Sequence, residues 1–395
     1  MRTINHIIGG EEVVSTSGRT SPVYNPATGE VTSEVGLAST EEVDQAVAAA
    51  SAAFEEWRAT SIARRTAVMY RFRDLVDQRR DDIAALLTAE HGKVLSDSLG
   101  EIQRGIENIE YACGLAEHLK GSFSQEVSTD VDVYSIRQPL GVVAGITPFN
   151  FPSMVPMWMF PNAIAAGNTF VLKPSEKDPS VNQLAAELLT DAGLPDGVFN
   201  VLQGDKLAVD RLREHPAVAA VSFGGSTPIA RYVYTTGTPA GKRVQALGGA
   251  KNHMIVRPDA DIGLAADAAV SAGYGSAGER CMAISVVVAV GAVADPLVEA
   301  IEDRIPTVTV GDGTDPASQM GPLITAEHRD RVASFIEGAP AEGATVVVDG
   351  RKHTFEGDGF FLAPSLLDNV NPGMRCYDDE IFGPVLCVVR VDTYD

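Results

Sequence analysis

Cys281 has the surroundings in this sequence that most clearly point to chemistry. It lies in the segment YGSAGERCMAIS, directly after Arg280 and shortly before the apolar run ISVVVAVGAV. A lone cysteine most often serves as a small buried packing residue. A thiolate in an accessible loop is instead a strong nucleophile toward a carbonyl carbon. Both interpretations of Cys281 are open at this point, whereas Cys113, Cys376 and Cys387 carry no motif and are interpreted as packing residues.

Charge and cysteine content exclude several classes of protein. The 395 residues include 31 Lys and Arg against 53 Asp and Glu, a net charge of −22. Such a surface repels nucleic acid and anionic membranes, so we expect neither as a partner. Four cysteines without a CxxC pair predict neither a disulfide framework nor a zinc site, and we expect no metal. With no secretion signal and no apolar run of about eighteen residues, the sequence predicts a cytoplasmic protein.

The predicted secondary structure that must position Cys281 changes at Pro139, from mainly helices to alternating strands and helices. Before it, helical periodicity predicts helices from a capping box at Ser39, over about 61–90 and over about 96–119. Residues 121–138 alternate and are rich in β-branched side chains, which predicts a β-hairpin. We expect this hairpin to protrude and to pair with another subunit.

After Pro139, apolar strands alternate with helices, which predicts a parallel sheet covered on both faces. Ligands of such sheets bind beyond the carboxyl ends of the strands. The segment GGSTPI after the fourth strand is a glycine-rich turn that opens a helix, an arrangement suited to a phosphate group. A second α/β section begins near residue 247 and contains Cys281.

Six segments in this order resemble the aldehyde dehydrogenase superfamily, and most closely its CoA-acylating branch that acts on methylmalonate semialdehyde. They are TPFNFP at 147–152, FVLKPSE at 170–176, FGGS at 223–226, LGGAKNH at 247–253, GERC at 278–281 and DEIFGPV at 379–385. The resemblance implies an α/β fold with a parallel-sheet NAD-binding domain at 1–120 and 139–246, an oligomerisation hairpin at 121–138 and an α/β catalytic domain at 247–395. Family members usually continue well past this last motif, so the C-terminal part of the catalytic domain is expected to be missing from this sequence.

The resemblance also implies roles for individual residues. Cys281 is the nucleophile, and the Asn150 amide and the Cys281 N–H hold the oxyanion that forms when it adds to an aldehyde. The expected NAD contacts are Thr147 and Phe149 beside the nicotinamide, Lys173, Glu176 and Lys177 at the adenosine ribose, Ser226 at the pyrophosphate, Gly248 as a close backbone approach, and Glu380 and Phe382 at the nicotinamide ribose. A carboxylate at Glu176 favours NAD over NADP.

Ala246 is an informative departure from the hydrolytic members of the superfamily. They commonly carry a glutamate immediately before LGG, which activates the water that cleaves the thioacyl enzyme, but here the text is QALGG. A methyl group cannot act as a general base. Ala246 is therefore either an inactivating substitution or a sign that coenzyme A accepts the acyl group. The accompanying AKNH and GERCMAIS strings favour coenzyme A.

Two arginines match those that hold a substrate carboxylate in this branch. Arg280 adjoins the nucleophile, and Arg104 lies in the predicted helix over about 96–119. A guanidinium suits a carboxylate because it binds both oxygens at once. We also expect the Arg280 cation to lower the pKa of the Cys281 thiol.

Together these features predict NAD-dependent, CoA-acylating oxidation of methylmalonate or malonate semialdehyde to propionyl-CoA or acetyl-CoA with release of CO2. The expected assembly is a homo-oligomer, a dimer or a tetramer, formed through the 121–138 hairpin. One alternative is a hydrolytic NAD-dependent semialdehyde dehydrogenase that gives a free acid. The other is an inactive binding or assembly protein.

Overall fold

Two sheets carry the segments in which the candidate residues lie. The computed structural model describes residues 2–394. Its strands are β1 Arg2–Ile4, β2 His6–Ile8, β3 Glu11–Val13, β4 Thr20–Asn25, β5 Glu30–Gly36, β6 Phe123–Ser128, β7 Val131–Tyr134, β8 Val142–Ile146, β9 Thr169–Lys173, β10 Phe199–Val201, β11 Val218–Gly224, β12 Arg243–Leu247, β13 Asn252–Val256, β14 Ile284–Val290, β15 Thr345–Val348, β16 Ser365–Asp368 and β17 Val385–Val391.

The helices account for most of the remaining chain. They are α1 Thr40–Ala59, α2 Ile62–Gln78, α3 Arg80–His91, α4 Leu95–Cys113, α5 Leu115–His118, α6 Met154–Ala165, α7 Ser180–Asp191, α8 Lys206–Glu214, α9 Thr227–Gly237, α10 Ile262–Tyr274, α11 Ala294–Arg304, α12 Ala326–Glu342 and α13 Arg375–Asp378. Within residues 2–394, none of these helices combines the length and the apolar character that crossing a membrane requires.

The chain divides into two compact units with a boundary at Gly248 and Gly249. The first unit holds the residues up to Val23, 33–86 and 99–248, and the second holds 24–32, 87–98 and the chain from Gly249 onward. The domain boundaries expected from the resemblance place all of 1–120 in the NAD-binding domain, whereas the compact units place 24–32 and 87–98 with the second. Long-range contacts explain the difference: the Leu95 N–H, for example, bonds to the carbonyl of Gly313. Periodicity along the chain carries no information about such contacts.

The main sheet of the first unit has the order β12-β11-β8-β9-β10-β2-β3. The five strands from β12 to β10 run parallel, and β2 and β3 add an antiparallel edge. The interior is continuously apolar, with Val142, Ala144, Val171 and Val221 among the buried residues. Helix α1 packs on this cluster and begins at the predicted capping box, in which Ser39 and Glu42 bond to each other's backbone N–H. A small sheet of order β1-β5-β4 completes the N-terminal region.

Two regions predicted to be helical each contain two helices in the structure. The helix expected over about 61–90 is α2 and α3, which meet at Arg79. The helix expected over about 96–119 is α4 and α5, which meet at Gly114. Glycine lowers helix stability through its backbone entropy, so a break there needs no tertiary cause.

The predicted hairpin is present as β6 and β7, paired antiparallel with Phe123 opposite Tyr134. The side chains of both strands are exposed, including Phe123, Val133 and Tyr134. A two-stranded hairpin is marginally stable alone in water, so an exposed apolar hairpin of this kind favours a partner surface. Its role in oligomerisation stays a prediction.

The second unit contains a five-stranded sheet of order β13-β14-β17-β16-β15. All neighbouring pairs are parallel except β15 with β16. Its core includes Tyr274, Phe335 and Leu386. The Tyr274 hydroxyl donates to the carbonyl of Ser365 at 3.0 Å, which fixes the end of α10 against β16. The chain between α10 and β14 carries Cys281, so this anchor determines where the Cys281 loop begins.

Candidate active site

In the first unit, several predicted cofactor residues follow the carboxyl ends of β8 and β9. The Thr147 N–H donates to the carbonyl of Lys173 at 3.2 Å, so the two strand ends are adjacent. The Thr147 hydroxyl is buried and has no hydrogen-bond partner among the described residues. The Asn150 side chain is buried, and the Lys177 ammonium lies 4.7 Å from the centre of the Phe149 ring, within cation–π range.

Lys173 and Glu176 form a short ion pair at the end of β9. The Lys173 Nζ lies 3.0 Å from Glu176 Oε2; the lysine is buried, whereas the glutamate side chain is about one-third exposed. Burial alone would raise the pKa of Glu176, but the positive charge of Lys173 and hydrogen bonds to the carboxylate outweigh it and lower the pKa. Glu176 is therefore an ionised hydrogen-bond acceptor that remains partly open to solvent.

The glycine-rich turn after β11 leads directly into α9. Ser226 is the N-cap residue of this helix, with extended backbone angles, and its exposed side chain makes no capping bond. Gly248 lies against the same helix start, since an added Cβ would come within 3.0 Å of Thr227 Oγ1. The first turn of α9 thus keeps the uncapped geometry that favours an anion.

Ala246 lies on β12 opposite Phe223 of β11. Its methyl group is partly buried and packs against the apolar cluster of the first unit. This side chain offers no proton acceptor.

In the second unit, the Cys281 loop follows α10 through a tight turn at Gly275–Gly278. Ser276 and Ala277 have φ values of 52° and 53°, a left-handed conformation that costs energy for residues other than glycine. The Asn252 side-chain amide donates to the carbonyls of Cys281 and Ala283, each at 2.9 Å. Asn252 therefore holds the backbone of the loop on both sides of Met282.

Asn252 lies in the segment LGGAKNH, but the sequence pattern assigns no role to it. The available signal was an amide side chain at the start of a strand, directly after LGGAK. That signal does not say which carbonyls the amide would reach.

The Cys281 thiol is partly buried, and its pKa is raised above the ordinary value of 9.0. Burial is the main cause, and the negative charge of Glu380 adds to it, while the N–H groups of Cys281 and Met282 act in the opposite direction. The expectation that Arg280 lowers this pKa is therefore wrong. The side chain of Arg280 is instead engaged with another residue.

Arg280 forms an ion pair with Asp97, with Nη2 and Oδ1 2.6 Å apart. Both side chains are about one-quarter exposed, and Asp97 lies in the first turn of α4. The guanidinium lies against Gly275, where an added Cβ would come within 2.6 Å of Nη1. Asp97 and Gly275 thus fix the direction of Arg280, and neither had been assigned a role from the sequence.

Arg104, the second arginine predicted to bind a carboxylate, has a different environment in the first unit. Its side chain is 66% exposed and bonds to Glu107 one helical turn later, at 2.9 Å. The helix itself thus supplies its carboxylate partner.

Glu380 and Phe382 lie in the irregular segment between α13 and β17. The Ala250 N–H donates to Glu380 Oε1 at 3.2 Å, and Phe382 has a φ of 60°. A small, solvent-open cleft is bordered by this segment and by the Cys281 loop, with Asn252, Arg280, Ser285, Glu380 and Phe382 among its lining residues. The carboxylate of Glu380 is also close enough to Cys281 to help raise the pKa of its thiol. Among residues 2–394, no group of His, Cys, Asp and Glu side chains is arranged to hold a metal ion.

The chain matches known proteins over its whole length. The aldehyde dehydrogenase family model matches residues 13–395. The malonate-semialdehyde dehydrogenase of Pseudomonas aeruginosa is 54% identical over 100% of this chain and 80% of its own length, and malonate-semialdehyde dehydrogenase 3 of Geobacillus kaustophilus is 50% identical over 100% and 82%.

Solved structures of similar proteins also match the chain over its whole length. The methylmalonate-semialdehyde dehydrogenase of Oceanimonas doudoroffii matches with a TM-score of 0.97 and 54% identity, covering 100% of this chain and 81% of that one. A Sinorhizobium meliloti structure in complex with NAD matches with a TM-score of 0.98 and 50% identity over the same shares. The α/β fold class predicted from six sequence segments is confirmed, and the chain belongs to the aldehyde dehydrogenase family.

Proposed function

We propose that this protein oxidises malonate or methylmalonate semialdehyde with NAD⁺ and transfers the acyl group to coenzyme A, giving acetyl-CoA or propionyl-CoA and CO2. The observation that carries the proposal is that Cys281 directly follows Arg280 in one loop. Asp97 and Gly275 hold the guanidinium of Arg280 in place. A nucleophile next to a fixed guanidinium suits an aldehyde that carries a carboxylate. Relatives about half identical to this chain are named for malonate semialdehyde, which supports the same substrate class.

The residues of the first unit fit a nicotinamide dinucleotide. Glu176 is ionised, partly exposed and held by Lys173, so it suits a ribose hydroxyl, and the uncapped start of α9 at Ser226 suits a pyrophosphate. When bound, NAD⁺ supplies a hydride acceptor. The residues predicted from the sequence to hold it are Thr147, Phe149, Lys173, Glu176, Lys177, Ser226 and Gly248 of this unit, and Glu380 and Phe382 of the second.

The covalent steps are carried by Cys281. Its thiol first loses a proton to a base, and Sγ then adds to the aldehyde carbon while the carbonyl oxygen becomes an oxyanion. The side-chain amide of Asn150 and the N–H of Cys281 are the proposed donors to that oxygen. Loss of hydride leaves a thioester on Cys281.

The β-carboxylate then leaves as CO2, its bonding electrons form the thioester enolate, and that enolate takes up a proton. The thiolate of coenzyme A attacks the thioester carbon, and the bond to Sγ breaks. Cys281 regains its proton at the end of the cycle.

Ala246 supports coenzyme A as the acceptor. Hydrolysis of a thioester needs an activated water, and a methyl group packed on an apolar cluster cannot activate one. Exchange of one thioester for another is nearly balanced in free energy and needs no such base. A hydrolytic dehydrogenase that uses a different base is the second candidate.

Product analysis tests the proposal. Purified protein with malonate semialdehyde and NAD⁺ should give acetyl-CoA, CO2 and NADH in equal amounts when coenzyme A is present, and little free acid when it is absent. Free acid formed equally fast without coenzyme A would overturn the acceptor assignment. An inert binding or assembly protein would release no burst of NADH matching one thiol per chain.

Members of this family are commonly oligomeric, and the exposed β6–β7 hairpin favours an assembly of identical chains. A dimer or tetramer formed through 121–138 is our proposal for its quaternary structure. Deletion of the hairpin should convert the assembly to a smaller species in sedimentation analysis. The cytoplasmic location stays a prediction from the sequence.

A further inference from the structure

Four consecutive backbone carbonyls in the segment 379–382 each accept a hydrogen bond from a basic side chain. The Lys251 ammonium donates to the carbonyl of Asp379 at 2.7 Å. The Arg331 guanidinium reaches the carbonyls of Glu380 and Ile381, at 3.1 and 2.9 Å. His328 Nε2 lies 2.7 Å from the carbonyl of Phe382, and since a carbonyl can only accept, the histidine donates. We call these three side chains the carbonyl clamp.

The clamp acts on a segment that lacks regular secondary structure. Residues 379–384 lie between α13 and β17, so no helix or strand fixes their backbone. Phe382 has a φ of 60°, which costs energy for a bulky residue unless the surroundings enforce it. Since Arg331 and His328 both come from the first two turns of α12, one rigid helix determines where Glu380 and Phe382 lie.

The same side chains connect this segment to the Cys281 loop. His328 Nε2 lies 3.4 Å from Oε1 of Glu279, a fully buried carboxylate two residues before Cys281. That oxygen also accepts the N–H of Ile324 at 3.3 Å. On the other side, Ala250, next to Lys251, donates to Glu380 Oε1. The backbone carbonyl of Glu380 is thus held by Arg331, and its carboxylate by the N–H of Ala250.

We propose that Arg331, supported by Lys251 and His328, is a positioning residue for dinucleotide binding. By holding the carbonyls of Glu380 and Ile381, it sets the carboxylate of Glu380 and the ring of Phe382 at the nicotinamide ribose. This inference rests on the cofactor part of the proposed function.

The test compares Arg331→Ala, Arg331→Lys and the matched control Arg329→Ala; among residues 2–394, the Arg329 side chain pairs only with exposed Asp330 on the same helix. The dissociation constant of NADH is measured from the change in NADH fluorescence on binding, in the absence of substrate. Removing two charge-assisted hydrogen bonds should weaken NADH binding about tenfold in Arg331→Ala. Lysine keeps the positive charge but places its donors on one nitrogen that holds one carbonyl, so we expect a loss of about threefold, and no change in the control.

A second readout separates positioning from general destabilisation. Alkylation of Cys281 by iodoacetamide, measured by peptide mass mapping without cofactor, should stay within about twofold of wild type in Arg331→Ala. If Arg331→Ala does not fold, Lys251→Met removes the neighbouring contact and should also weaken NADH binding. A folded Arg331→Ala protein with wild-type affinity for NADH would overturn the inference. A wild-type protein that fails to bind NADH would instead overturn the cofactor part of the proposed function.

Discussion

The turn after β9 and the loop before β14 each fix a charged side chain, but with partners at very different distances along the chain. Lys173 and Glu176 are three residues apart, so the motif KPSE contains its own ion pair. Arg280 pairs with Asp97, 183 positions away, and the carbonyl of Cys281 is held by Asn252, 29 positions away. The first arrangement can be read from a short string of sequence. The second exists only in the folded second unit, so its partners are the sensitive points of the Cys281 loop.

The largest expected effect comes from Cys281 itself. Cys281→Ala removes the only group in the loop able to form a thioester, so NADH formation with semialdehyde and coenzyme A should fall by about a thousandfold or more. NADH binding should stay unchanged, because the proposed cofactor contacts do not include the thiol. Cys113→Ala, a buried cysteine in α4, is the matched control and should keep its rate. A Cys281→Ala protein with more than about a tenth of wild-type activity would place the nucleophile elsewhere.

Arg280→Ala tests whether the pair with Asp97 serves substrate recognition. Loss of a guanidinium–carboxylate contact should raise the KM for malonate semialdehyde by about a hundredfold. Propionaldehyde lacks the carboxylate, so its KM should change by about threefold or less. Steady-state kinetics with both aldehydes give the ratio. Equal losses for the two substrates would mean that Arg280 supports the loop and does not recognise the carboxylate.

The raised pKa of Cys281 predicts a pH profile. The thiolate reacts with iodoacetamide, and below the pKa its fraction rises about tenfold per pH unit. Since burial shifts the pKa above 9.0, alkylation of the free enzyme should keep increasing past pH 9. Cys113 has a pKa of about 11, chiefly through burial, and should react later still. A plateau for Cys281 near neutral pH would show that a cation, such as Arg280 released from Asp97, lies at the thiol in solution.

Asn252→Ala probes the long-range hold on the loop directly. The variant leaves the carbonyls of Cys281 and Ala283 without their side-chain donor, which we expect to lower the free energy of unfolding by about 1–3 kcal/mol. Because the loop is held less firmly, the rate of Cys281 alkylation should also change by about fivefold. Denaturant unfolding and alkylation kinetics measure the two effects. Asn108→Ala is the matched control, because within the described part of the chain the Asn108 amide bonds a single exposed carbonyl, that of Arg104.

The limits of the sequence follow from the same contrast. Hydrophobic periodicity predicted the parallel strands β8, β9 and β11, because their continuously apolar character is local. The family segments gave the predicted site residues, because each motif is contiguous. The sequence could not predict the roles of Asp97, Asn252 and the carbonyl clamp. No pattern near Asp97 indicates a contact with Arg280, and every residue has a backbone carbonyl, so residue type does not show which carbonyls are bound. The predicted direction of the Cys281 pKa shift was wrong for a related reason. Arg280 is adjacent to Cys281 in the sequence, but its cation pairs with Asp97 and does not lower the pKa of the thiol.

Arg104→Ala should have the smallest effect on the KM for malonate semialdehyde. It tests an arginine whose carboxylate partner is local in the sequence, in contrast to Arg280. Its guanidinium is two-thirds exposed and already bonds Glu107 within the same helix. Water and that partner both weaken any further carboxylate contact, so the KM for malonate semialdehyde should rise only about twofold to threefold. Glu107→Ala frees the guanidinium and should leave the KM equal or slightly lower. A rise as large as that for Arg280→Ala would mean that Arg104 leaves Glu107 and binds the substrate carboxylate.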